Sequence, residues 1–293
     1  MLPNTFVIGA MKSATTSLCA MLNQHPQVFV SAIKEPDFFS RDEVFAKGVD
    51  WYGNHFEPAT EQRVVLEGST SYTKHIQYPK AAERLAAQIP DARLIYILRH
   101  PVARIESHWQ HEVLKNRTEL GVDQFAREHE EAIDISCYWK QLNIYRDLFP
   151  DNQIQVLFLD DLRAQPQETL QSCSRFLDLD PFEFSVENGN QNRSENRRLD
   201  AWPIRIFRKY RWFDTKFEMI KQSVPSFIHP MMKAVLKSNR QPPRQKLNRE
   251  TRRWVEEQLI EDTHELLRHH KKKLDFWEFT TMMPVHLEST SAD

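Results

Sequence analysis

The stretch Thr5–Leu18, TFVIGAMKSATTSL, has the form of a strand that runs through a short turn into a helix. Its apolar start is typical of a strand covered on both faces, and Gly9 ends that run. Small and hydroxylic residues then follow Lys12. Because a helix N-terminus presents unpaired backbone N–H groups and the positive end of the helix dipole, it binds anions well. The stretch therefore predicts an anion-binding turn to which Lys12 adds a positive charge.

The same alternation of strand and helix patterns continues along the chain. Four more apolar runs predict strands, at Gln27–Ser31, Arg63–Glu67, Arg93–Arg99 and Ile154–Leu159. Helical patterns separate them, and this order predicts an α/β fold with a doubly wound parallel sheet of about five strands flanked by helices. Ligands of such sheets bind beyond the carboxyl ends of the strands, so we expect the functional residues to follow the strands.

The last third of the chain differs in charge from the rest. Between Arg193 and Arg253 the sequence has 17 Lys and Arg against 5 Asp and Glu, although the whole chain has a net charge of −2. A region this basic predicts an anionic ligand or surface, and a solvated charged face is the alternative. We predict one domain over residues 1–293, with an α/β core at 1–184 and a mostly helical, basic extension at 185–293.

Composition and cysteine usage indicate a globular protein of a reducing compartment. Of the 293 residues 40% are hydrophobic, and three widely spaced cysteines form no CxxC pair. No apolar run approaches the roughly 20 residues of a membrane span. We therefore expect no membrane span and a cytoplasmic location.

A second stretch, LIYILRHPVARIESHW, places Arg99 at the end of a strand and Ser107 eight residues later, with Pro101 opening a helix. Together with the turn at Lys12, it resembles the sulfotransferases that use 3′-phosphoadenosine 5′-phosphosulfate (PAPS). The segments IKEPDFFS and LEGSTSYTKH are similar to segments of the heparan-type and related bacterial carbohydrate branch. The resemblance covers roughly residues 4–181 and implies a P-loop-like form of the doubly wound sheet.

The resemblance implies two groups of donor-binding residues. The 5′-phosphosulfate would be held by the first turn, at Lys12, Ser13, Ala14, Thr15, Thr16 and Ser17. Arg99 and Ser107 would hold the 3′-phosphate, while Lys12 would also stabilise the charge that develops on the leaving phosphate, with no metal required. Ala14 stands where the family usually has glycine, so either the turn is tighter here or its backbone does not need a positive φ.

The resemblance also implies the reaction and its base. Sulfuryl transfer is an in-line displacement onto an acceptor hydroxyl that releases 3′,5′-adenosine bisphosphate. Glu35 matches the family's general base, with Asp37, which replaces a common histidine, and His75 as reserve candidates. The acceptor would be a carbohydrate, a glycolipid or other lipid-linked glycan, or a hydroxylated metabolite.

Parts of the basic extension have no recognisable counterpart in the family pattern. The loop that clamps the 3′-phosphate is not recognisable, and five basic residues are candidate substitutes: Arg193, Arg197, Arg240, Arg244 and Lys246. The aromatic and basic segment Trp202–Lys237 fits a lid over the acceptor, a glycan platform, a helix in peripheral contact with a membrane, or plain packing. We expect no nucleic-acid partner.

Two other functions stay open at the level of sequence. A P-loop kinase would need Mg²⁺ and ATP, but the spacing between Gly9 and Lys12 does not match its phosphate loop. A catalytically inactive PAPS-binding homologue is the other alternative. His108 and His111 share a helix face that could carry zinc. The segment that contains them, with Arg99 and Ser107, is already explained by 3′-phosphate binding, so we predict no metal site.

Overall fold

The computed structural model describes residues 1–186 and 245–279. Five parallel strands form one sheet: β1 (Thr5–Gly9), β2 (Val28–Val30), β3 (Val64–Gly68), β4 (Arg93–Leu98) and β5 (Ile154–Phe158). Their order across the sheet is β2-β3-β1-β4-β5. The strand residues are mostly buried, as expected of a sheet covered on both faces.

Eleven helices belong to the part of the chain that the structure describes. They are α1 (Thr15–Leu22), α2 (Asp42–Phe45), α3 (Gly48–Gly53), α4 (Ala81–Gln88), α5 (Pro101–Leu114), α6 (Val122–Glu128), α7 (Glu130–Asp134), α8 (Tyr138–Arg146), α9 (Leu159–Ala164), α10 (Pro166–Phe176) and α11 (Arg249–His269). Short 3₁₀ turns lie at Asn54–Phe56, Thr70–Thr73 and Asp151–Gln153.

The strand order explains where a ligand can enter. After β1 the chain builds β2 and β3 on one side of the sheet, and β4 and β5 then extend it on the other side. The neighbouring strands β1 and β4 are therefore followed by loops that lead to opposite sides of the sheet. In open α/β sheets this point of divergence is the usual ligand crevice. The predicted anion turn follows β1, and Arg99 follows β4.

Helix α11 is part of the same core as the sheet. Leu266 and Leu267 are fully buried in the cluster that covers one sheet face. The Asp262 carboxylate accepts hydrogen bonds from the backbone N–H groups of Trp139 and Lys140, at 3.0 and 2.8 Å. It thereby caps the first turn of α8, whose own N-cap residue offers no side-chain bond. The described part of the predicted extension is thus helical and packs on the α/β core.

All five predicted strands and the α/β class are confirmed, with ends that shift by a residue or two. The predictions did not include the short helices α2, α3, α6 and α7. Each has four to seven residues, too few for a periodic apolar pattern to stand out. The predicted segment Trp202–Lys237 lies outside the described residues, as does the rest of 187–244.

Candidate active site

A cavity of about 1080 Å³ opens where the loops after β1 and β4 diverge. One wall is built by the turn and first residues of α1 together with Arg99 and Ser107, and we call it the α1 side (Lys12–Ser17, Arg99, Ser107). A second part of the lining comes from the loops after β2 and β3, and we call it the loop side (Glu35, Asp37, Arg41, Thr70, Ser71). The fold therefore brings both predicted groups of residues to one cavity.

The turn before α1 has an unusual backbone. Lys12 and Ala14 adopt φ angles of 72° and 68°, in the left-handed region that favours glycine. Ala14 is the N-cap residue of α1, and no side chain caps this helix. Of the two alternatives for Ala14, the one without positive φ is therefore wrong: the turn keeps the left-handed conformation although a Cβ is present.

The first turn of α1 has the properties of an anion site. It carries no acidic residue and no side-chain cap, so the N–H groups at its start are left to an external acceptor. Thr15, Thr16 and Ser17 line the cavity beside Lys12. Ser13 does not contribute its side chain, because it is fully buried beneath the turn and its N–H donates to Ala10.

Arg99 stands beside the same turn. Its guanidinium donates to the backbone C=O of Lys12 at 3.4 Å, and the Tyr138 hydroxyl donates to the C=O of Arg99 at 2.8 Å. Burial lowers the pKa of Arg99, and the nearby Arg163 lowers it further. Two guanidinium groups held close together in a partly buried wall repel each other, and a bound anion relieves that repulsion.

Glu35 is the carboxylate of the loop side that is best placed for proton transfer. It follows β2 and lines the cavity, and its Oε2 accepts a hydrogen bond from the Thr70 hydroxyl at 3.0 Å. Burial raises the pKa of Glu35, and Asp37 also raises it, while Lys34 and the Thr70 bond act against the shift. The Lys34 ammonium itself donates to Thr16 at 2.7 Å, across the cavity wall, rather than to Glu35.

Asp37 is committed to other partners. Its Oδ1 accepts from the Ser71 hydroxyl at 2.6 Å, its Oδ2 accepts from Arg41 Nε at 3.0 Å, and its N–H donates to Ser69 at 3.1 Å. Its φ of 56° is again left-handed, a conformation that Asp tolerates better than most residues. These bonds make Asp37 the organising residue of the loop side.

A buried carboxyl group lies beneath this loop network. Glu67 in β3 is fully buried, and its Oε2 accepts hydrogen bonds from the hydroxyls of Tyr52 and Tyr72 at 2.5 and 2.7 Å. Burial raises the pKa of Glu67 to about 7, against the hydrogen bonds that favour its charged form. Glu67 anchors the aromatic packing below the loop side and does not line the cavity among the described residues.

The remaining predicted residues either lie away from the cavity or fall outside the described residues. In the described part of the chain His75 does not line the cavity, and its N–H donates to Gln141. Lys246 is paired with Glu106 at 2.6 Å and likewise does not reach the cavity wall, because it is held against α5. The other proposed clamp residues lie outside the described residues.

The two α5 histidines considered for a metal site lie in different places: His108 is part of the core, and His111 is half-buried and lines the main cavity. His108 is buried against Phe125 and His129, and burial holds the pKa of His108 well below its usual range. Within residues 1–186 and 245–279, no group of three or more His, Cys, Asp or Glu side chains is arranged to hold a metal ion. Nor does any helix of these ranges have the length and apolarity to cross a membrane.

The structure adds cationic residues that the sequence analysis did not single out for this site. Lys34, Lys74 and Arg163 line the cavity, and in total eight Lys and Arg side chains face two carboxylates there. Lys34 lies in the quoted IKEPDFFS segment a few residues after β2, and Arg163 lies a few residues after β5. That both residues follow strands was the one sign in the sequence that they could reach the cavity. Only the packing of these loops shows that they share one wall.

Comparison with known proteins identifies the family. A family model described as a sulfotransferase domain matches residues 2–201. The mouse heparan sulfate glucosamine 3-O-sulfotransferase 5 is 32% identical over 193 residues, which cover 61% of this chain and 54% of the mouse enzyme. This chain thus spans about half the length of that relative. A membrane-associated sulfotransferase of Dictyostelium discoideum is 25% identical, covering 71% of this chain and 63% of that protein.

A solved structure supports the fold. The sulfotransferase from Alicyclobacillus acidocaldarius superposes with a TM-score of 0.66 over 94% of this chain and 99% of the other, at 22% identity.

The relatives overturn one prediction. A cytoplasmic location is wrong, because the similar proteins include a membrane-associated sulfotransferase and an enzyme of heparan sulfate, which point to a non-cytoplasmic location. The three cysteines are free, as the sequence analysis assumed, and Cys19 and Cys173 are buried. Because a buried free cysteine packs as a small hydrophobic residue, its lack of a disulfide partner does not decide the compartment. By its family match and its fold, this chain is a member of the sulfotransferase family.

Proposed function

We propose that this sulfotransferase moves the sulfuryl group of PAPS to a hydroxyl of a carbohydrate acceptor. The single observation that carries the proposal is the meeting of Lys12, Arg99 and Ser107 with Glu35 across one cavity. A doubly phosphorylated donor needs two anion sites, and a hydroxyl acceptor needs a base opposite them. The named relatives that act on heparan sulfate glucosamine favour a carbohydrate over a small metabolite.

The α1 side fits the donor. The uncapped N-terminus of α1, with Lys12 and the hydroxyls of Thr16 and Ser17, would hold the phosphosulfate. Arg99 and Ser107, at the end of β4 and in α5, would hold the 3′-phosphate, whose charge would act against the burial and the Arg163 repulsion that lower the pKa of Arg99. No residue of this wall in the described ranges is acidic.

The reaction then needs little covalent chemistry from the protein. The acceptor oxygen forms a bond to sulfur as the bond between sulfur and the bridging phosphate oxygen breaks. Glu35 would take the proton of the acceptor hydroxyl, for which its raised pKa is favourable because a base works best when its pKa is close to the working pH. Lys12 and the start of α1 would stabilise the negative charge on the leaving phosphate.

The donor assignment is tested by calorimetric titration with 3′,5′-adenosine bisphosphate, 5′-AMP and ATP–Mg²⁺. We expect the bisphosphate to bind much more tightly than 5′-AMP. Arg99→Ala should reduce that preference by about ten- to a hundredfold, since a charge-assisted hydrogen bond contributes about 1.5–3 kcal/mol. Arg93→Ala is the matched control, because Arg93 lies at the opposite end of the same strand from Arg99. Its guanidinium bonds to Phe176 and Asp178 there.

Tighter binding of ATP–Mg²⁺, together with unchanged binding in Arg99→Ala, would contradict the proposal and favour a kinase.

A further inference from the structure

A second cavity of about 460 Å³ adjoins the loop side. It is lined by residues of two short segments, 40–43 and 77–80. Arg41 and Tyr78 line both this cavity and the main one, so the two spaces meet at these side chains. A volume of this size is within the usual range of small-molecule sites.

The junction is held in place by the loop network. Arg41 donates through Nε to Asp37, which is itself fixed by Ser71 and Ser69. The Arg41 side chain is 36% exposed, so it is anchored at one end and still faces solvent. Asp37 is two residues from Glu35 in the chain, so the junction is tied to the segment that carries Glu35.

The two cavities differ in charge. The main one has eight cationic side chains against two carboxylates. The second is lined by two cations and two carboxylates, and these are paired: Arg41 lies 3.9 Å from Glu43, and Lys80 lies 3.7 Å from Asp42. Asp42 is further engaged by Arg84. An anionic group would therefore meet a strongly positive field in the main cavity and a balanced one in the second.

The remaining lining of the second cavity suits a polar but uncharged ligand. Gln77 and Tyr78 bring an amide and a phenol, which both donate and accept hydrogen bonds, while the buried Ser40 hydroxyl is bonded to Asp37 and Ser71. Tyr78 also gives an aromatic face with a polar end, and Pro79 adds apolar surface beside it. Hydroxyl-rich rings with apolar faces have the complementary chemistry.

We propose that the second cavity is a subsite for an uncharged sugar unit of an extended glycan acceptor, with Arg41 and Tyr78 at the junction between this unit and the one that is sulfated. This inference rests on the proposed function of the main cavity. It adds that the acceptor is longer than one sugar and that its outer unit carries no charge.

The test compares the affinities of sugars for the protein saturated with 3′,5′-adenosine bisphosphate. The probes are N-acetylglucosamine, neutral N-acetylglucosamine tetramer, and a heparosan tetrasaccharide that carries carboxylates. We expect the neutral tetramer to bind at least about tenfold more tightly than the monomer, as one further subsite would give. We also expect it to bind more tightly than the charged tetrasaccharide.

Gln77→Trp fills the second cavity without touching the main one. Gln77 is exposed, and its only described bond is from its backbone N–H to Lys74, which substitution keeps. We expect Gln77→Trp to abolish the preference for the tetramer and to leave binding of the bisphosphate and the monomer unchanged. Gln88→Trp, an equally exposed position at the end of α4, is the matched control and should keep the wild-type preference.

Equal affinity for the monomer and the tetramer overturns the subsite, as do failure of every sugar to bind, an unchanged preference in Gln77→Trp, and tighter binding of the charged tetrasaccharide. Binding of the bisphosphate by the same samples separates these results from a failure of the proposed function, because loss of the donor site would remove that binding as well.

Discussion

The two walls of the main cavity are built in different ways. The α1 side comes directly from two neighbouring strands, and it consists of the uncapped start of a helix with Lys12 and Arg99 beside it. The loop side is made of two loops that are cross-linked by side chains, with Asp37 as the common partner of Arg41, Ser69 and Ser71. One wall depends on local geometry, and the other depends on a hydrogen-bond network.

This difference has a consequence for function. A site made of strand ends and a helix N-terminus is stiff, because the sheet holds it in place. A site made of cross-linked loops can change its ligand when one side chain of the network changes. We therefore expect substitutions on the α1 side to affect donor binding and the chemical step, and those on the loop side to affect proton transfer and the choice of acceptor.

The largest effect is expected at the loop side, from Glu35→Gln. Loss of the general base should lower kcat by about 10²–10⁴-fold. Binding of 3′,5′-adenosine bisphosphate should stay at the wild-type level, because Glu35 belongs to the loop side and not to the α1 side proposed to hold the donor. Initial rates with labelled PAPS and calorimetry give the two readouts. Glu83→Gln, exposed on α4, is the matched control. A variant that kept near wild-type kcat would assign the base elsewhere.

A somewhat smaller effect is expected on the α1 side, from Lys12→Met. Removing one preorganised charge at the leaving phosphate should lower kcat by about 10²–10³-fold. The KM for PAPS should change less than kcat, because the charge that Lys12 stabilises grows in the transition state. Lys273→Met, at an exposed position far along the chain, controls for the loss of a surface charge. A rise in the KM for PAPS of that size, with kcat unchanged, would instead make Lys12 a residue that only binds the donor.

Asp37→Asn separates positioning from base catalysis. Asp37 raises the pKa of Glu35 through its negative charge, so removing that charge should lower the pKa of Glu35. Glu35 would then stay deprotonated to lower pH, and the acid limb of the pH profile of kcat/KM should move to lower pH. Asp50→Asn, exposed on α3, should leave the profile unchanged. Loss of the acid limb altogether would instead make Asp37 the base.

The smallest effect is expected from Ala14→Gly, which tests the backbone of the α1 side. Because Ala14 has φ of 68°, glycine should relieve strain and raise the free energy of unfolding by about 1 kcal/mol. Ala86→Gly, in the regular part of α4, should have the opposite sign, since glycine destabilises a helix interior by about as much. Denaturant unfolding of both variants measures the two changes in the free energy of unfolding. Destabilisation of both would show that the turn does not strain Ala14.

The sequence predicted the α1 side in most of its parts. Strand, turn and helix are local patterns, so the position of Lys12 before α1 and of Arg99 after β4 could be inferred from neighbouring residues alone. The exception is Ser13, which belongs to the same motif but is turned into the core. The direction of a side chain in a left-handed turn is not encoded in the spacing of the motif.

The loop side could be predicted only in outline. Glu35 was identified from its segment, but Asp37 was expected to be a reserve base, and the structure engages it with Arg41 and Ser71. His75 was a further candidate and does not reach the cavity among the described residues. Asp37 and Ser71, for example, are 34 residues apart in the chain. No local pattern reports which residues that far apart meet.

By itself the sequence determined the parallel sheet, the turn before α1 and the positions of Lys12 and Arg99 beyond the ends of neighbouring strands, because burial on both faces and helix starts leave periodic and local signals. Only the tertiary structure decided which loops face each other, that Asp37 meets Ser69 and Ser71, and that a charge-balanced cavity adjoins the cationic one. The physical reason is that hydrogen bonds and ion pairs between distant loops depend on how the sheet brings their strands together. That arrangement becomes visible only in three dimensions.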